Sequence, residues 1–449
     1  MKIPERAPQT KLSPDFVADL PGMATKVGDV LKRAQSDYLY WDKFRHLRMP
    51  EGVRASDTWA FVKLMRNLNR RPTAIPSVDG GRFTYSLTEH VMEALHNIDK
   101  WAGGWDAGTP AHAPHDAQKE RYILSSLLEE SIASSQIEGA STTRRRAREM
   151  LLNAERPRNH SERMILNNYQ TMKRIRGLID TPITPQLLLD LQKSMTVDAL
   201  LHPEDAGVFR TTDDIVVADE MNRVLYTPPK ASEVPGMVQA LCDYANTQGG
   251  QFEHPAIKAI ALHFWLGLIH PFADGNGRTA RALFYLFMLK NDYWLFEYLS
   301  ISRVILRRRA QYERAYLYSE IDDSDFTYFL LFNLKAIETA LEETRKHVEQ
   351  KAAEDMEIQQ QVQGDFELNY RQRAILSRAL KKPGAVFTFQ SHANSHGVVR
   401  ATARADLLDL CDRGYLVRRK DGRQIVFLPA PDLRDRVHQV SIGVTRSDN

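Results

Sequence analysis

Two apolar helical runs, one ending near Leu268 and one starting at Arg281, limit the folds open to this chain. Between His254 and Leu268, the residues Ile257, Ile260, Ala261, Phe264, Trp265 and Leu268 fall on one face at helical spacing. From Arg281 to Lys290 the sequence is apolar on nearly every side, the mark of a helix enclosed by other helices. The expected fold class is therefore mainly α. Between the two runs stands His270-Pro-Phe-Ala-Asp-Gly-Asn-Gly-Arg-Thr-Ala-Arg281, a polar cluster carried by a rigid apolar frame.

The residue types in that cluster suit a polyphosphate and a metal beside a general base. Gly275-Asn276-Gly277 lies where one helix has ended and the next begins. Glycines there let successive N–H groups point into one concavity at a positive helix end. Asn276 is expected to add a side-chain donor. Arg278 and Arg281, three apart, are expected on the same side of the following helix, as guanidinium forks for the outer phosphates of a nucleotide. Thr279 and Ala280 complete that phosphate-binding stretch. Asp274 supplies a hard oxygen ligand, fitting Mg²⁺ held between one carboxylate and substrate phosphates. His270 can take a proton from a hydroxyl near neutral pH. Phe272 anchors the loop in the core. A capping histidine among solvated arginines would leave this conjunction unexplained.

In chain order, residues 1 to about 20 are polar and read as an arm, followed by helical pattern from Met23 to Asn69. Arg71, Pro72, Pro76, Gly80 and Gly81 mark a loop, Leu87 to Trp101 a helix, and Gly103 to Pro114 a linker or loop. An amphipathic helix over Gln118–Ile137 ends at Glu138-Gly139, with glycine as a left-handed cap. Ser141, Thr142 and Thr143 can cap the helix beginning at Arg144. Further helices are expected over Leu166–Ile179, Pro185–Met195 and Ala231–Ala245. Asp214–Ala218 and Arg223–Thr227 read as a β-hairpin, which must lean on the helices around it. Residues 351–364 read as a linker.

The last folded unit, residues 365–430, has the order helix, short strand, helix, helix and a hairpin over Leu416–Lys420 and Arg423–Leu428. That is the winged helix-turn-helix plan. Twelve basic side chains face six acidic ones between Asp365 and Leu428, an excess that suits phosphate contacts. Arg400, Thr402 and Arg404 open the candidate recognition helix, while Arg418, Arg419, Lys420 and Arg423 flank the wing. DNA and protein both remain open as its partner.

The 270–281 stretch resembles the Fic family motif, His-x-Phe-x-(Asp/Glu)-Gly-Asn-Gly-Arg-x-x-Arg, at every fixed position. The resemblance covers about Gln118 to Leu334. It implies a helical core with a hairpin flap, and transfer of AMP from ATP to a hydroxyl side chain (Tyr, Thr or Ser) of a target protein or of the chain itself. It implies His270 as base, Asp274 as Mg²⁺ ligand, and Gly275 to Gly277 with both arginines on the phosphates. Ile215, Val216 and Val217 would sit on the flap. Relatives moving phosphocholine or phosphate keep close variants of the motif. Ser134-Ser-Gln-Ile-Glu138-Gly139 resembles the family's inhibitory motif, (Ser/Thr)-x-x-x-Glu-(Gly/Asn). It implies that Glu138, paired with Arg281, occupies the place the γ-phosphate needs; relatives also use this glutamate to hold water and remove AMP. Homodimerisation is a further implication of the resemblance.

The domain plan expected is therefore an N-terminal helical region (1–117), a core (118–350) containing the inhibitory helix (118–139), the linker, the winged unit and a polar tail (431–449). No apolar run reaches the roughly 18 residues of a membrane span, and the first residues lack a signal-peptide pattern. Cys242 and Cys411 read as plain thiols in a reducing cytoplasm. A rival reading is a DNA-binding regulator whose core senses nucleotide; the intact His270 argues against it, since holding phosphate needs no base.

Overall fold

The computed structural model describes residues 3–8, 11–77, 80–102, 116–218, 221–247, 249, 252–363, 368–382, 384–421 and 424–437. The expected linker at 103–114 lies outside them. The chain divides into two units, residues 1–344 and 345–449.

The first unit opens on α1 (Pro14–Ala18), α2 (Leu20–Lys26), α3 (Gly28–Ser36), α4 (Trp41–Phe44) and α5 (Ala55–Asn67). The expected arm is in fact packed. Ser13 caps α1 and donates to Asp57 at 3.0 Å. Phe16 is buried against Phe61, with ring centroids 5.7 Å apart. Leu12 and Leu20 pack beside Phe16, so a few scattered apolar residues in a polar stretch are enough to seat it.

The expected proline-rich loop is instead a hairpin, β1 (Arg70–Pro76) and β2 (Arg82–Ser86), with a register irregularity between Pro72 and Pro76. A two-stranded ribbon has only edges, so prolines can sit where no N–H is needed. The far side of β2 is bonded too: Thr84 N–H donates to Ser324 O (3.0 Å), and Phe326 N–H to Thr84 O (2.8 Å). Charges are buried at this junction. Lys63 donates to Asp322 at 2.8 Å, Arg70 to Asp325 at 2.8 Å, and Tyr38 Oη to Asp325 at 2.7 Å. Arg66 lies 3.9 Å from the centroid of the Tyr38 ring, a cation–π contact.

Next come α6 (Glu89–Ala102), α7 (Asp116–Ile137), α8 (Arg144–Leu152), α9 (His160–Ile175) and α10 (Pro185–Thr196). As the capping chemistry predicts, Gly139 is left-handed (φ 96°) and Thr143 Oγ1 accepts from Arg146 N–H. A small hairpin, β3 (Val217–Ala218) and β4 (Val224–Tyr226), precedes α11 (Val234–Asn246), α12 (Pro255–Ile269) and α13 (Asn276–Lys290). The hairpin is shorter than expected. Ile215 and Val216 precede its paired residues, because two strands without a sheet gain little from further pairing. Nearly every side chain of α12 and α13 is buried, polar ones included. These two helices form the centre, wrapped by α7, α9, α10 and α11. After α14 (Ile301–Arg307) and α15 (Arg309–Ile321), α16 runs from Thr327 to Gln363. The expected linker is thus helical to Gln363. Its Glu, Gln, Lys and Ala content removes apolar periodicity but favours helix.

The second unit holds α17 (Tyr370–Lys381), α18 (Phe389–His396), α19 (Arg400–Asp412) and the hairpin β5 (Leu416–Asp421) with β6 (Gln424–Pro429). Phe387 bridges to Phe427 as a third short strand. Gly422 and Arg423 lie outside the described residues. The expected polar tail begins with structure: residues 433–437 are helical, and Leu433 and Val437 join the core. Asp406 organises the interior, accepting from Arg371 Nε (2.7 Å), Asn369 Nδ2 (2.8 Å) and His392 Nε2 (3.0 Å). Burial opposes its charge, yet these donors hold its carboxyl at about 2. Among the described residues no helix is long and apolar enough to cross a membrane.

Candidate active site

The loop between α12 and α13 is held from several directions. His270 ends α12 in a left-handed conformation (φ 48°, ψ 57°), its N–H donating to Leu266 O at 3.0 Å. A residue with a Cβ pays for that conformation, roughly 1–2 kcal/mol, so the surroundings must impose it. Arg210 does part of this. Its Nε donates to His270 O (2.9 Å), its N–H to Pro271 O (2.9 Å), and its remaining nitrogens to Thr212 O (3.0 Å) and Pro229 O. Gln192, buried on α10, donates to Asp274 O at 3.1 Å. Phe272 is fully buried against Phe209. Neither Arg210 nor Gln192 belongs to any local motif, and no spacing in the sequence marks them.

Asn276 departs from expectation. Its side chain closes the loop on itself, accepting from Phe272 N–H (2.9 Å) and donating to Phe272 O (2.8 Å). It is buried and its donor is spent on shaping the turn. Gly275 caps α13 at φ 88°, a conformation glycine adopts without a Cβ clash.

His270 Nδ1 lies 3.3 Å from Gly267 O. A carbonyl only accepts, so Nδ1 carries the hydrogen and Nε2 keeps its lone pair. Burial pushes the imidazole below its ordinary pKa and the nearby Arg210 adds to this; the Gly267 carbonyl, Glu138 and Asp274 pull the other way. The neutral ring is therefore the form present at pH 7.

The two arginines do not share a side. Arg278, fully buried, turns to Met195 O (3.0 Å) and Asp274 Oδ2 (2.9 Å). Arg281 turns to α7, donating Nε to Ser134 Oγ (2.8 Å) and Nη2 to Ser134 O (2.9 Å) and Glu138 Oε1 (2.9 Å). Two long buried side chains diverge because each needs acceptors, and these lie on different helices. Thr279 and Ala280 are buried between them.

Glu138 rests on the first turn of α13. A Cβ added at Gly277 would lie 2.1 Å from Glu138 Oε1, so the carboxylate sits where only glycine leaves room. A helix N-terminus is where an anion gains most from free N–H groups and the dipole. The structure thus puts a carboxylate of the chain itself at the N-terminus of α13. Asp274 is more open: its side chain is 41% exposed, with Oδ1 accepting from Gly275 N–H at 2.5 Å. Among the described residues no cluster of three His, Cys, Asp or Glu side chains is set to hold a metal. A cation here would draw one ligand from Asp274 and the others from water and phosphate, a donor set that suits Mg²⁺.

The hairpin is tied to the same loop. Tyr226 Oη donates to Leu268 O at 3.0 Å, and Val217 pairs with Tyr226. Val216 is exposed and Ile215 half-buried. In the second unit Arg400 and Arg404 are exposed on α19, Thr402 is half-buried, and Arg418, Arg419 and Lys420 are exposed along β5. Arg371 and Arg413, part of the expected basic surface, instead pair with Asp406 (2.7 Å) and Asp409 (2.9 Å).

Residues 182–288 match the Fic/DOC family. The chain is 25% identical over 165 residues to Protein adenylyltransferase Fic of Nematostella vectensis, covering 34% of this chain and 35% of that one. It is 24% identical over 276 residues to the protein of the same name from Culex quinquefasciatus, covering 61% and 50%. The chain thus spans half or less of the length of these curated relatives. Among solved structures, a Fic family protein from Desulfovibrio desulfuricans G20 shares the fold with a TM-score of 0.55 at 19% identity, covering 77% of this chain and 98% of that one. Fic-1 (residues 134–508) from C. elegans does so with a TM-score of 0.50 at 16% identity, covering 76% and 90%. The intact motif thus sits on the loop between two central buried helices, inside the residues that match the Fic/DOC family.

Proposed function

We propose that this chain is a protein adenylyltransferase held in check by its own Glu138. The observation that carries the reading is the pairing of a neutral, correctly tautomeric His270 with an anion site at the start of α13. In the reaction, His270 Nε2 takes the proton of a Tyr, Thr or Ser hydroxyl on a target protein. The hydroxyl oxygen forms a bond to the α-phosphorus of ATP, the bond to the bridging oxygen breaks, and pyrophosphate leaves. The N–H groups of Asn276 and Gly277 and the Arg281 guanidinium hold the phosphates, the Gly275 N–H being taken by Asp274 Oδ1. Asp274 would hold Mg²⁺, which when bound neutralises phosphate charge. The flap, with Ile215, Val216 and Val217 near its base, is the edge along which the target segment lies.

Glu138 competes for this arrangement. Its carboxylate takes a donor of Arg281 and sets negative charge beside the phosphates. The same carboxylate can orient a water for the reverse reaction, removal of AMP. A hydrogen bond to a charged partner is worth roughly 1.5–3 kcal/mol. Glu138→Gly should therefore raise incorporation of α-labelled ATP by about 10- to 100-fold. An unchanged rate would remove autoinhibition from the reading. Label transferred from another phosphate-containing donor, but never from ATP, would replace the donor.

For the second unit the reading we favour is duplex DNA as partner. Arg400 and Arg404 stand exposed at the start of α19, and none of Arg400, Arg404, Arg418, Arg419 or Lys420 makes an ion pair among the described residues. Binding to duplex DNA should weaken with a log–log salt slope of about −3 to −5 if these cations meet phosphates. Binding that ignores salt, or survives removal of residues 365–449, would favour a protein partner.

A further inference from the structure

We infer that Glu130 is a positioning residue for the inhibitory helix: it anchors α7 in the register at which Glu138 reaches Arg281. The inference rests on the autoinhibition proposed above and names the contact that sets it.

Glu130 and Ser134 lie four apart on α7, and Glu138 follows four further on, just past its last residue, so the three fall on one side. Glu130 engages a separate part of the centre, while Ser134 and Glu138 both meet Arg281. Glu130, 1% exposed, accepts from Tyr285 Oη on α13 (2.8 Å) and from the start of α14: Ser300 Oγ (3.2 Å), Ser302 N–H (3.0 Å) and Ser302 Oγ. Ser134, one turn on, meets Arg281 through both Oγ and carbonyl, and Glu138 completes the row. Of the three, Glu138 is the one that rests on the first turn of α13.

The chemistry at Glu130 is unusual for a simple packing contact. Four donors converge on one carboxylate, and none of them is cationic. Burying a charge on neutral donors is costly, and burial does push this carboxyl's pKa upward. A carboxylate is nevertheless the side chain that suits the spot, because it only accepts. A glutamine would turn an NH₂ group towards one of those donors. Glu130 lies roughly 12 Å along the helix from Glu138, at 1.5 Å per residue. Fixing one end fixes the axial position of the other, and a shift of one residue would carry Glu138 away from Arg281.

The test uses the full chain, with Glu130→Gln and Ser302→Ala each made alone and in the Glu138→Gly background. The milder Ser302→Ala keeps the carboxylate and its one backbone donor, the N–H of residue 302, and it carries the test if Glu130→Gln fails to fold by circular dichroism. In the wild-type background each should raise labelling from α-labelled ATP by about three- to tenfold. In the Glu138→Gly background each should alter the rate by less than about twofold, since the contact being positioned is gone. Rises or losses of equal size in both backgrounds would mean a general effect on the core and overturn the inference. No rise in wild type, with a responsive Glu138→Gly, overturns it alone. A flat Glu138→Gly arm removes the autoinhibition reading and this inference with it.

Discussion

His270→Ala should lower labelling of target protein, measured in the Glu138→Gly background where the rate is highest, on the order of 10²–10⁴-fold. The loss belongs to chemistry and not to folding. The helix cap at this position is the backbone N–H of residue 270, which donates to Leu266 O and survives the substitution. The loop's other ties, from Arg210, Gln192 and Asn276, do not involve the imidazole. Thermal unfolding should therefore stay within a few degrees of wild type. The pH profile offers a second check. A base works unprotonated, and burial lowers the pKa of His270 from its ordinary value, roughly 6.5. Activity should hold level from pH 8 downwards and decline only below that ordinary value. A decline beginning at pH 7 or above would contradict the assignment.

Arg70→Ala should destabilise the first unit by about 3–5 kcal/mol, the cost of leaving a buried charge without its partner. Asp325 is fully buried, and Arg70 Nη2 meets it at 2.8 Å. Tyr38 Oη and Thr327 N–H would remain bonded to the carboxylate, which favours the lower end of the range. The midpoint of chemical denaturation measures the effect, and Arg70→Ala with Asp325→Asn should recover part of the loss. The pH dependence follows from the same site. Burial opposes the Asp325 charge, but Arg70, Lys63 and Arg66 outweigh it and hold the carboxyl below its ordinary range. A depressed folded-state pKa means stability that is present above the unfolded value, about 3.9, and lost as pH falls below it. Wild type should weaken through that acid window, and Asp325→Asn should weaken less.

Much of the centre was legible because its signals are local. Apolar residues all round 281–290 can only be buried, and the capping roles of Gly139 and Thr143 depend on their immediate neighbours. The β1–β2 hairpin was not legible. Its prolines argue for a loop, and the bonds that make it worthwhile come from Ser324 and Phe326, far along the chain. Phe16 misled in the same way, as an apolar residue in a polar stretch whose partner Phe61 lies on another helix. Glu130 could have been found: it sits one turn before Ser134, as Ser134 sits one turn before Glu138.

The sequence by itself determined the chemistry on offer: an imidazole, a carboxylate and a glycine-flanked helix start, all within twelve residues between two helices that must be buried. Only the tertiary structure decided how those groups are used. Arg278 and Arg281 look equivalent by spacing, yet one holds Asp274 and the other meets Glu138 across 143 positions of chain. Asn276 looks like a ligand donor, yet its amide closes the turn. The physical reason is common to both cases. A buried polar group must find its partner wherever packing places one, and packing joins residues that no local pattern connects.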